Sequence, residues 1–168
     1  MKIILVGLPG SGKSFWGRQL AAYYQVKLID LDIEIINYTG STINDIFAEQ
    51  GEEWFRKTEA DILRGVLGQP GPYILSTGGG APCFHQNMEA INAVGISIFL
   101  NRSPESIAKR LLQKGFDKRP LLKDKKDTLA EELQQKLLQR KPFYTKAHIS
   151  LNQDEMQLES FINALESH

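Results

Sequence analysis

The sequence predicts an α/β protein built on a parallel sheet, and three observations point to this class. Five apolar runs of strand length recur along the chain, at residues 3–6, 27–29, 73–76, 96–100 and 149–151. The segments between the first runs show helical patterns of apolar residues. A glycine-rich turn follows the first run and precedes such a pattern. Alternation of strands and helices favours a three-layer α/β/α arrangement with helices on both faces of the sheet.

Helices are predicted to fill the connections between these strands. Their predicted ranges are 13–24, 32–37, 42–49, 52–67, 85–93, 104–113, 126–140 and 154–165. No linker-like stretch divides the 168 residues, and a chain of this length can bury its own core. The prediction is therefore a single domain over residues 1–168.

Composition narrows the choice of partner. The chain has 20 basic and 20 acidic residues, so its net charge indicates neither nucleic acid nor an anionic membrane as partner. No apolar segment approaches the length of a membrane span or a signal sequence. The one cysteine, Cys83, cannot form an internal disulfide and is interpreted as a packing residue. We therefore expect a cytoplasmic monomer that binds small molecules.

Charge is nevertheless segregated along the chain. Residues 30–66 are mainly acidic, whereas residues 109–126 are mainly basic. The stretch QKGFDKRPLLKDKK lies in the basic segment and combines a glycine and a proline with no apolar period. Two solvated surfaces would explain this pattern. A mobile lid over a polyanion, at residues 112–125, would explain it equally.

The glycine-rich turn has the pattern of a phosphate-binding loop. Residues 7–14, GLPGSGKS, fit G-x-x-x-x-G-K-[ST] between a strand and a helix, the context that this motif requires. Glycines let successive N–H groups converge on phosphate oxygens, and the helix adds its positive dipole end. A turn that only packs is the alternative. The predicted nucleotide-binding residues are Gly10, Ser11, Gly12, Lys13, Ser14 and Phe15.

Two aspartates follow the second strand. A spacing of two places Asp30 and Asp32 on one face for as long as the strand continues, at the edge where ligands bind in such sheets. One carboxylate can hold a water bound to Mg²⁺, for which the Ser14 hydroxyl is a second predicted ligand. The other can accept or orient the proton of an attacking hydroxyl. Alternatively, Asp32 only caps the next helix.

A run of three glycines ends the third strand. A run of glycines loses much conformational entropy on folding, so its presence suggests that another group must approach the backbone closely. The triplet therefore favours a ligand site lined by backbone over a structural loop. It consists of Gly78, Gly79 and Gly80.

These features favour a P-loop NTPase that acts as a small-molecule kinase with ATP and Mg²⁺. A guanine-reading Asn-Lys-x-Asp motif is absent from the sequence, which argues against a GTPase. The chain is also short for a mechanical domain. A nucleotide-binding module that lacks catalysis is the alternative from another class.

The motifs together resemble the shikimate kinase family. In order and spacing these are GLPGSGKS, DLD, GSTINDIFAEQGEEWFRKTE, STGGG, KRPLL and QRKPFY, and the resemblance extends over essentially the whole chain. It implies a five-stranded parallel sheet of nucleoside monophosphate kinase type. It also implies transfer of the ATP γ-phosphoryl to the 3-hydroxyl of shikimate. The P-loop and DLD alone fit gluconate and nucleoside monophosphate kinases as well.

On the acceptor side, the resemblance implies that Asp32 orients or deprotonates the acceptor hydroxyl and that Asp30 holds magnesium through water. It also implies that residues 32–62 form a substrate-binding helical insert. Arg56 and Arg140 bind the carboxylate, for which an arginine fork is well suited. Intrahelical pairing of Arg56 with a neighbouring glutamate, Glu52 or Glu59, is the alternative. The backbone that lines this pocket belongs to Gly78, Gly79 and Gly80.

On the nucleotide side, the P-loop motif predicts that Lys13 reaches the β- and γ-phosphates. The resemblance implies that Arg119 closes from the lid onto the phosphates and the substrate. An arginine that stacks on adenine is also expected before the lid. Arg110 is the first choice for this role, and Lys114 or Lys118 remain open because the spacing departs from the family pattern.

Overall fold

The structure is a computed structural model that describes residues 1–116, 125–152 and 155–168. All four strand pairs are parallel, and the strand order is β2-β3-β1-β4-β5. The predicted five-stranded parallel sheet is thus confirmed. The strands are β1 (Lys2–Val6), β2 (Lys27–Asp30), β3 (Tyr73–Ser76), β4 (Ile96–Asn101) and β5 (Ile149–Asn152).

The helices of the described ranges lie close to the predicted ones. They are α1 (Lys13–Tyr24), α2 (Leu31–Thr39), α3 (Ile43–Leu67), α4 (Asn87–Val94), α5 (Pro104–Phe116), α6 (Lys125–Tyr144) and α7 (Leu158–Glu166). Helix α4 begins two residues later than predicted because His85 and Gln86 have left-handed backbone, with φ of 48° and 54°. A short 3₁₀ turn, Ala81–Cys83, precedes it.

The sheet is buried on both faces. Ile4 and Val6 of β1 belong to one apolar cluster with residues of α3, α4 and α6. Ile3 and Leu5 belong to a second cluster, with residues of α1 and α7. This alternation is the period-two pattern of a strand covered by helices on both sides, so the three-layer arrangement is confirmed. Cys83 packs against the first cluster, as predicted. Among the described residues, no helix is long and apolar enough to cross a membrane.

Helix α3 joins the two helices predicted at 42–49 and 52–67. Gly51 lies between them with φ 80° and ψ 172°, and its backbone kinks the helix. This region of backbone space is populated almost only by glycine. Beyond the kink, the second half of α3 turns Phe55 into the core and leaves Trp54 exposed. The glycine therefore sets the direction in which the second half of the helix approaches the sheet.

We expect Gly51→Ala to lower the free energy of unfolding by about 1–3 kcal/mol, through backbone strain alone. A methyl group at this position would meet nothing within 4 Å. Gly65→Ala is the matched control, because Gly65 lies inside the same helix, in equally open space. It should raise the free energy of unfolding by about 0.5–1 kcal/mol. Urea titration measures both changes. Stabilisation by both substitutions would show that the kink is not required.

Candidate active site

The loop between β1 and α1 has the form of an anion cradle. Gly7, Gly10 and Gly12 adopt positive φ. Gly12 caps α1 without a side-chain hydrogen bond, which leaves the N–H groups of the first turn open to a ligand. Within the described residues, the buried Ser11 hydroxyl has no hydrogen-bond partner. An unpaired hydroxyl beside open backbone donors fits the oxygens of a polyphosphate.

Lys13 is the buried cation of this loop. Its ammonium donates to the carbonyl oxygens of Gly7 at 2.9 Å and Leu8 at 2.8 Å. Burial lowers the pKa of Lys13 to about 8, and the nearby carboxylates of Asp32 and Asp30 oppose this shift. The charged form is thus stabilised by the two aspartates that share its cleft.

Asp30 connects the loop to the second strand. Its Oδ2 accepts a hydrogen bond from the Ser14 hydroxyl at 2.8 Å, and its Oδ1 accepts from the backbone N–H of Asp32 at 3.1 Å. Asp30 is therefore the N-cap of α2, and the alternative that Asp32 is the cap is wrong. Strand alternation also does not align the two carboxylates. The strand ends at Asp30, and Asp32 lies in the first turn of the helix.

Ser14 and Asp30 fit the predicted magnesium site by their chemistry. Mg²⁺ prefers oxygen ligands and usually takes one or two from protein, the others from water and phosphate. Within the described part of the chain, no group of three or more His, Cys, Asp and Glu side chains could hold a metal by itself. An ion here would depend on the nucleotide for the rest of its coordination.

An acceptor-sized cleft of about 330 Å³ opens beside the P-loop, where β2 and β3 end. It brings together every residue predicted for the acceptor side, along with Lys13 and Ser14. Its chemically active lining consists of Lys13, Ser14, Asp30, Asp32, Arg56, Glu59, Gly78, Gly79, Gly80 and Arg140.

Asp32 borders this cleft, and its pKa is raised. Loss of water around the carboxylate is the main cause, and repulsion from Asp30 adds to it. Lys13 and Arg56 act in the opposite direction. A carboxylate with a raised pKa is a stronger base than one in water, which is useful for accepting a proton from a hydroxyl.

Arg56 is buried, with only 8% of its surface exposed, and it forms both of the ion pairs considered as alternatives. Its Nη1 donates to Glu59 Oε2 at 2.8 Å, and its Nε donates to Glu52 Oε1 at 3.3 Å. The guanidinium also lies over the Phe84 ring, 4.4 Å from its centroid. Intrahelical pairing and a place in the cleft are thus compatible, because the pairs orient the guanidinium.

Glu59 was expected only as a possible partner of Arg56, and the structure places it in the lining of the cleft. Its side chain is 1% exposed, and burial raises its pKa although Arg56 opposes the shift. Within the described residues, its Oε1 has no hydrogen-bond partner. A glutamate three positions after an arginine on a buried helix face was the available signal.

Each glycine of the triplet lies against a different neighbouring residue. A methyl group on Gly78 would lie 2.9 Å from Glu59 Oε1, and one on Gly79 would lie 2.5 Å from the Pro9 ring. A methyl group on Gly80 would lie 2.5 Å from the Arg56 guanidinium. The close approach inferred from the sequence is therefore present at all three positions.

A second cleft, of about 470 Å³, lies on the other side of the P-loop. Arg110 lines it and donates to the Gly10 carbonyl, and Phe15 and Arg18 line it as well. Arg18 was not predicted, although it follows Ser14 by one helical turn. Arg102 was also missed. It directly follows β4, and its Nε donates to the Ser11 carbonyl at a distance of 3.3 Å. Arg119 and Lys118 lie outside the described residues, as does the side chain of Lys114.

A P-loop joined to an acceptor cleft with a carboxylate and two arginines, on a five-stranded parallel sheet, defines a P-loop small-molecule kinase. Comparison with known proteins specifies the family. A family model described as shikimate kinase matches residues 9–167. A shikimate kinase of Parabacteroides distasonis is 40% identical over 163 residues, covering 96% of this chain and 93% of the relative.

Solved structures agree with this match. Shikimate kinase from Bacteroides thetaiotaomicron superposes with a TM-score of 0.86 at 38% identity, covering 99% of this chain and 97% of that one. Shikimate kinase from Acinetobacter baumannii in complex with shikimate superposes with a TM-score of 0.80 at 32% identity, covering 99% and 89%. The chain belongs to the shikimate kinase family, and it is an ATP-dependent kinase.

The lowered pKa of Lys13 makes stability depend on pH. Between the folded pKa of about 8 and the ordinary value of 10.5, the unfolded chain binds more protons than the folded one. The free energy of unfolding should therefore rise with pH in this window, by up to about 1.4 kcal/mol per pH unit from this group. Lys13→Met should remove that rise. Urea unfolding at pH 7.5 to 10.5 measures it.

Lys57→Met is the control for this experiment, because Lys57 is an exposed lysine outside the cleft. Its pH profile should match that of the wild type. Equal slopes for the wild type and Lys13→Met between pH 8 and 10.5 would contradict the assignment.

Proposed function

We propose that this protein transfers the γ-phosphoryl group of ATP to the 3-hydroxyl of shikimate, giving shikimate 3-phosphate and ADP on the route to chorismate. The observation that carries the proposal is the cleft in which Asp32, Arg56 and Arg140 converge beside the P-loop. This combination provides one base and two anion-binding groups. The A. baumannii relative solved with shikimate has the same fold, which supports this choice of acceptor.

Arg56 and Arg140 are the proposed carboxylate clamp. A guanidinium presents two parallel N–H donors to a carboxylate, which fixes orientation as well as charge. Glu59 and Glu52 hold Arg56 in place. The backbone of Gly78, Gly79 and Gly80 lines the same cleft, with Gly80 against the Arg56 guanidinium.

Asp32 is the proposed base, and Lys13 and Arg119 are the proposed catalytic cations. The 3-hydroxyl oxygen forms a bond to the γ-phosphorus as the bond to the β,γ-bridging oxygen breaks, ADP leaves and the proton passes to Asp32. Lys13 and Arg119 stabilise the charge that spreads over the transferred group. When bound at Ser14 and Asp30, Mg²⁺ supplies positive charge that offsets that of the phosphates.

The nucleotide is proposed to lie along Gly10, Ser11, Gly12, Lys13, Ser14 and Phe15. Arg110 is the proposed adenine-stacking residue, because it lines the second cleft. We further propose that one domain carries out the reaction as a cytoplasmic monomer, with residues 32–62 as the acceptor insert and residues 112–125 as the lid.

An acceptor panel tests the reaction. We expect ADP release from MgATP to depend on shikimate and to exceed release with gluconate, AMP or no acceptor by at least about 100-fold. The methyl ester of shikimate should be a poor acceptor because it lacks the charge that the two arginines bind. A coupled assay for ADP measures all five conditions.

Each other outcome of the panel has a defined meaning. Equal turnover of shikimate and its methyl ester would exclude the proposed binding of the carboxylate by Arg56 and Arg140. Preference for gluconate or AMP would show that the protein is a kinase with a different acceptor. No turnover with any acceptor would indicate a nucleotide-binding module.

Substitution of the proposed base tests the mechanism. Asp32→Asn should lower kcat by about 10²–10⁴-fold, with little change in the KM for ATP, because an amide cannot accept the proton. Asp45→Asn is the matched control, since Asp45 is an aspartate in the first turn of α3, outside the cleft. Steady-state kinetics measures both variants. A kcat for Asp32→Asn within fivefold of the wild type would exclude the base role.

A further inference from the structure

Tyr144, the last residue of α6, contacts the lining of the acceptor cleft from within the core. It is fully buried, and its ring packs against Phe99 with 5.1 Å between centroids. Its hydroxyl donates a hydrogen bond to the carbonyl of Gly79. Burial raises the pKa of Tyr144, and the nearby positive charge of Arg140, one helical turn earlier in α6, opposes this rise. The hydroxyl thus contacts the glycine triplet and lies near a proposed clamp arginine.

The three glycine carbonyls are held in different ways. Gly78 accepts from the backbone N–H of Ala81 at 3.2 Å, and Gly80 accepts from that of Cys83 at 3.0 Å. Both of these hydrogen bonds join residues three positions apart, so they are local turn contacts. Gly79 instead accepts from the side chain of Tyr144, which is 65 residues away in the sequence. The middle of the triplet is therefore fixed by a tertiary contact.

Both flanks of the triplet are anchored independently of this contact. Thr77 donates to the Leu5 carbonyl through its N–H at 3.2 Å and through its hydroxyl at 2.9 Å. The Ala81 carbonyl accepts from Asn87 at 2.8 Å. Loss of the Tyr144 hydroxyl should therefore loosen the centre of the triplet and leave its ends in place.

We propose that Tyr144 is a positioning residue for the acceptor, whose hydroxyl holds the Gly79 backbone of the cleft in place. This inference rests on the proposed function, because the glycine backbone is there assigned to the shikimate pocket. A backbone that is ordered before binding loses less freedom when the acceptor engages it. Among the described residues, the hydrogen bond of this hydroxyl is to Gly79, on the acceptor side.

Tyr144→Phe tests this role, because it removes the hydroxyl and keeps the ring on Phe99. We expect the KM for shikimate to rise about three- to tenfold, the effect of one hydrogen bond, with the KM for ATP within twofold of the wild type.

Tyr73→Phe is the matched control. Tyr73 is fully buried at the amino end of β3, and its hydroxyl donates to the Val66 carbonyl at 3.0 Å, far from the cleft along the same strand. Its loss should lower the melting temperature and leave both KM values unchanged. An unchanged KM for shikimate in Tyr144→Phe would overturn the proposal, as would an equal rise in both variants.

A measurement without acceptor separates this inference from the proposed function. Amide hydrogen exchange over residues 78–81 of the ligand-free protein should be about two- to tenfold faster in Tyr144→Phe and unchanged in Tyr73→Phe. If the wild type does not phosphorylate shikimate, the proposed function fails, and the exchange rates still decide whether Tyr144 positions the triplet. Exchange equal to that of the wild type would refute the positioning role.

Discussion

The parallel pairing of β1 with β3 is the constraint on which the site depends. Leu5 is in register with Ser76, and the Leu5 carbonyl accepts both hydrogen bonds from Thr77. The two loops that leave these strands therefore start side by side. One is the P-loop and the other is the glycine triplet, and their backbones meet where Pro9 contacts Gly79. A nucleotide bound to the first loop and an acceptor bound to the second would lie next to each other, because β1 and β3 are adjacent strands.

Charge is the second determinant of the cleft. Lys13, Arg56 and Glu59 are buried beside the more exposed Asp32, and loss of water shifts the pKa of Lys13 down and those of Asp32 and Glu59 up. For Lys13, Asp32 and Glu59, neighbours of opposite charge oppose the shift that burial causes. Replacement of one charge therefore leaves its partner buried and unpaired, which usually destabilises more than the pair stabilises. Substitutions at the rim of the cleft are for this reason easier to interpret than loss of Arg56.

Much of the fold followed from the sequence because its signals are local. The P-loop, the strand runs and α1 depend on residues that are neighbours in the chain, and α1 was placed residue for residue. The alternative that Asp32 only caps α2 was wrong, because sequence spacing does not show where a strand ends. Glu59 and Tyr144 were missed for a different reason. Their significance lies in contacts with Gly78 and Gly79, and single-sequence patterns carry no information about such tertiary contacts.

The P-loop shows how nucleotide affinity arises as a difference between two sets of hydrogen bonds. The Ser11 hydroxyl has no partner within the described residues and would gain one from an anion held by the loop. The Lys13 ammonium, in contrast, already donates to the carbonyls of Gly7 and Leu8 and must exchange these bonds to reach a phosphate. The exchange is favourable because a charged acceptor makes a stronger hydrogen bond than a carbonyl does. The carbonyls meanwhile keep the lysine inside the loop that is proposed to hold the phosphates.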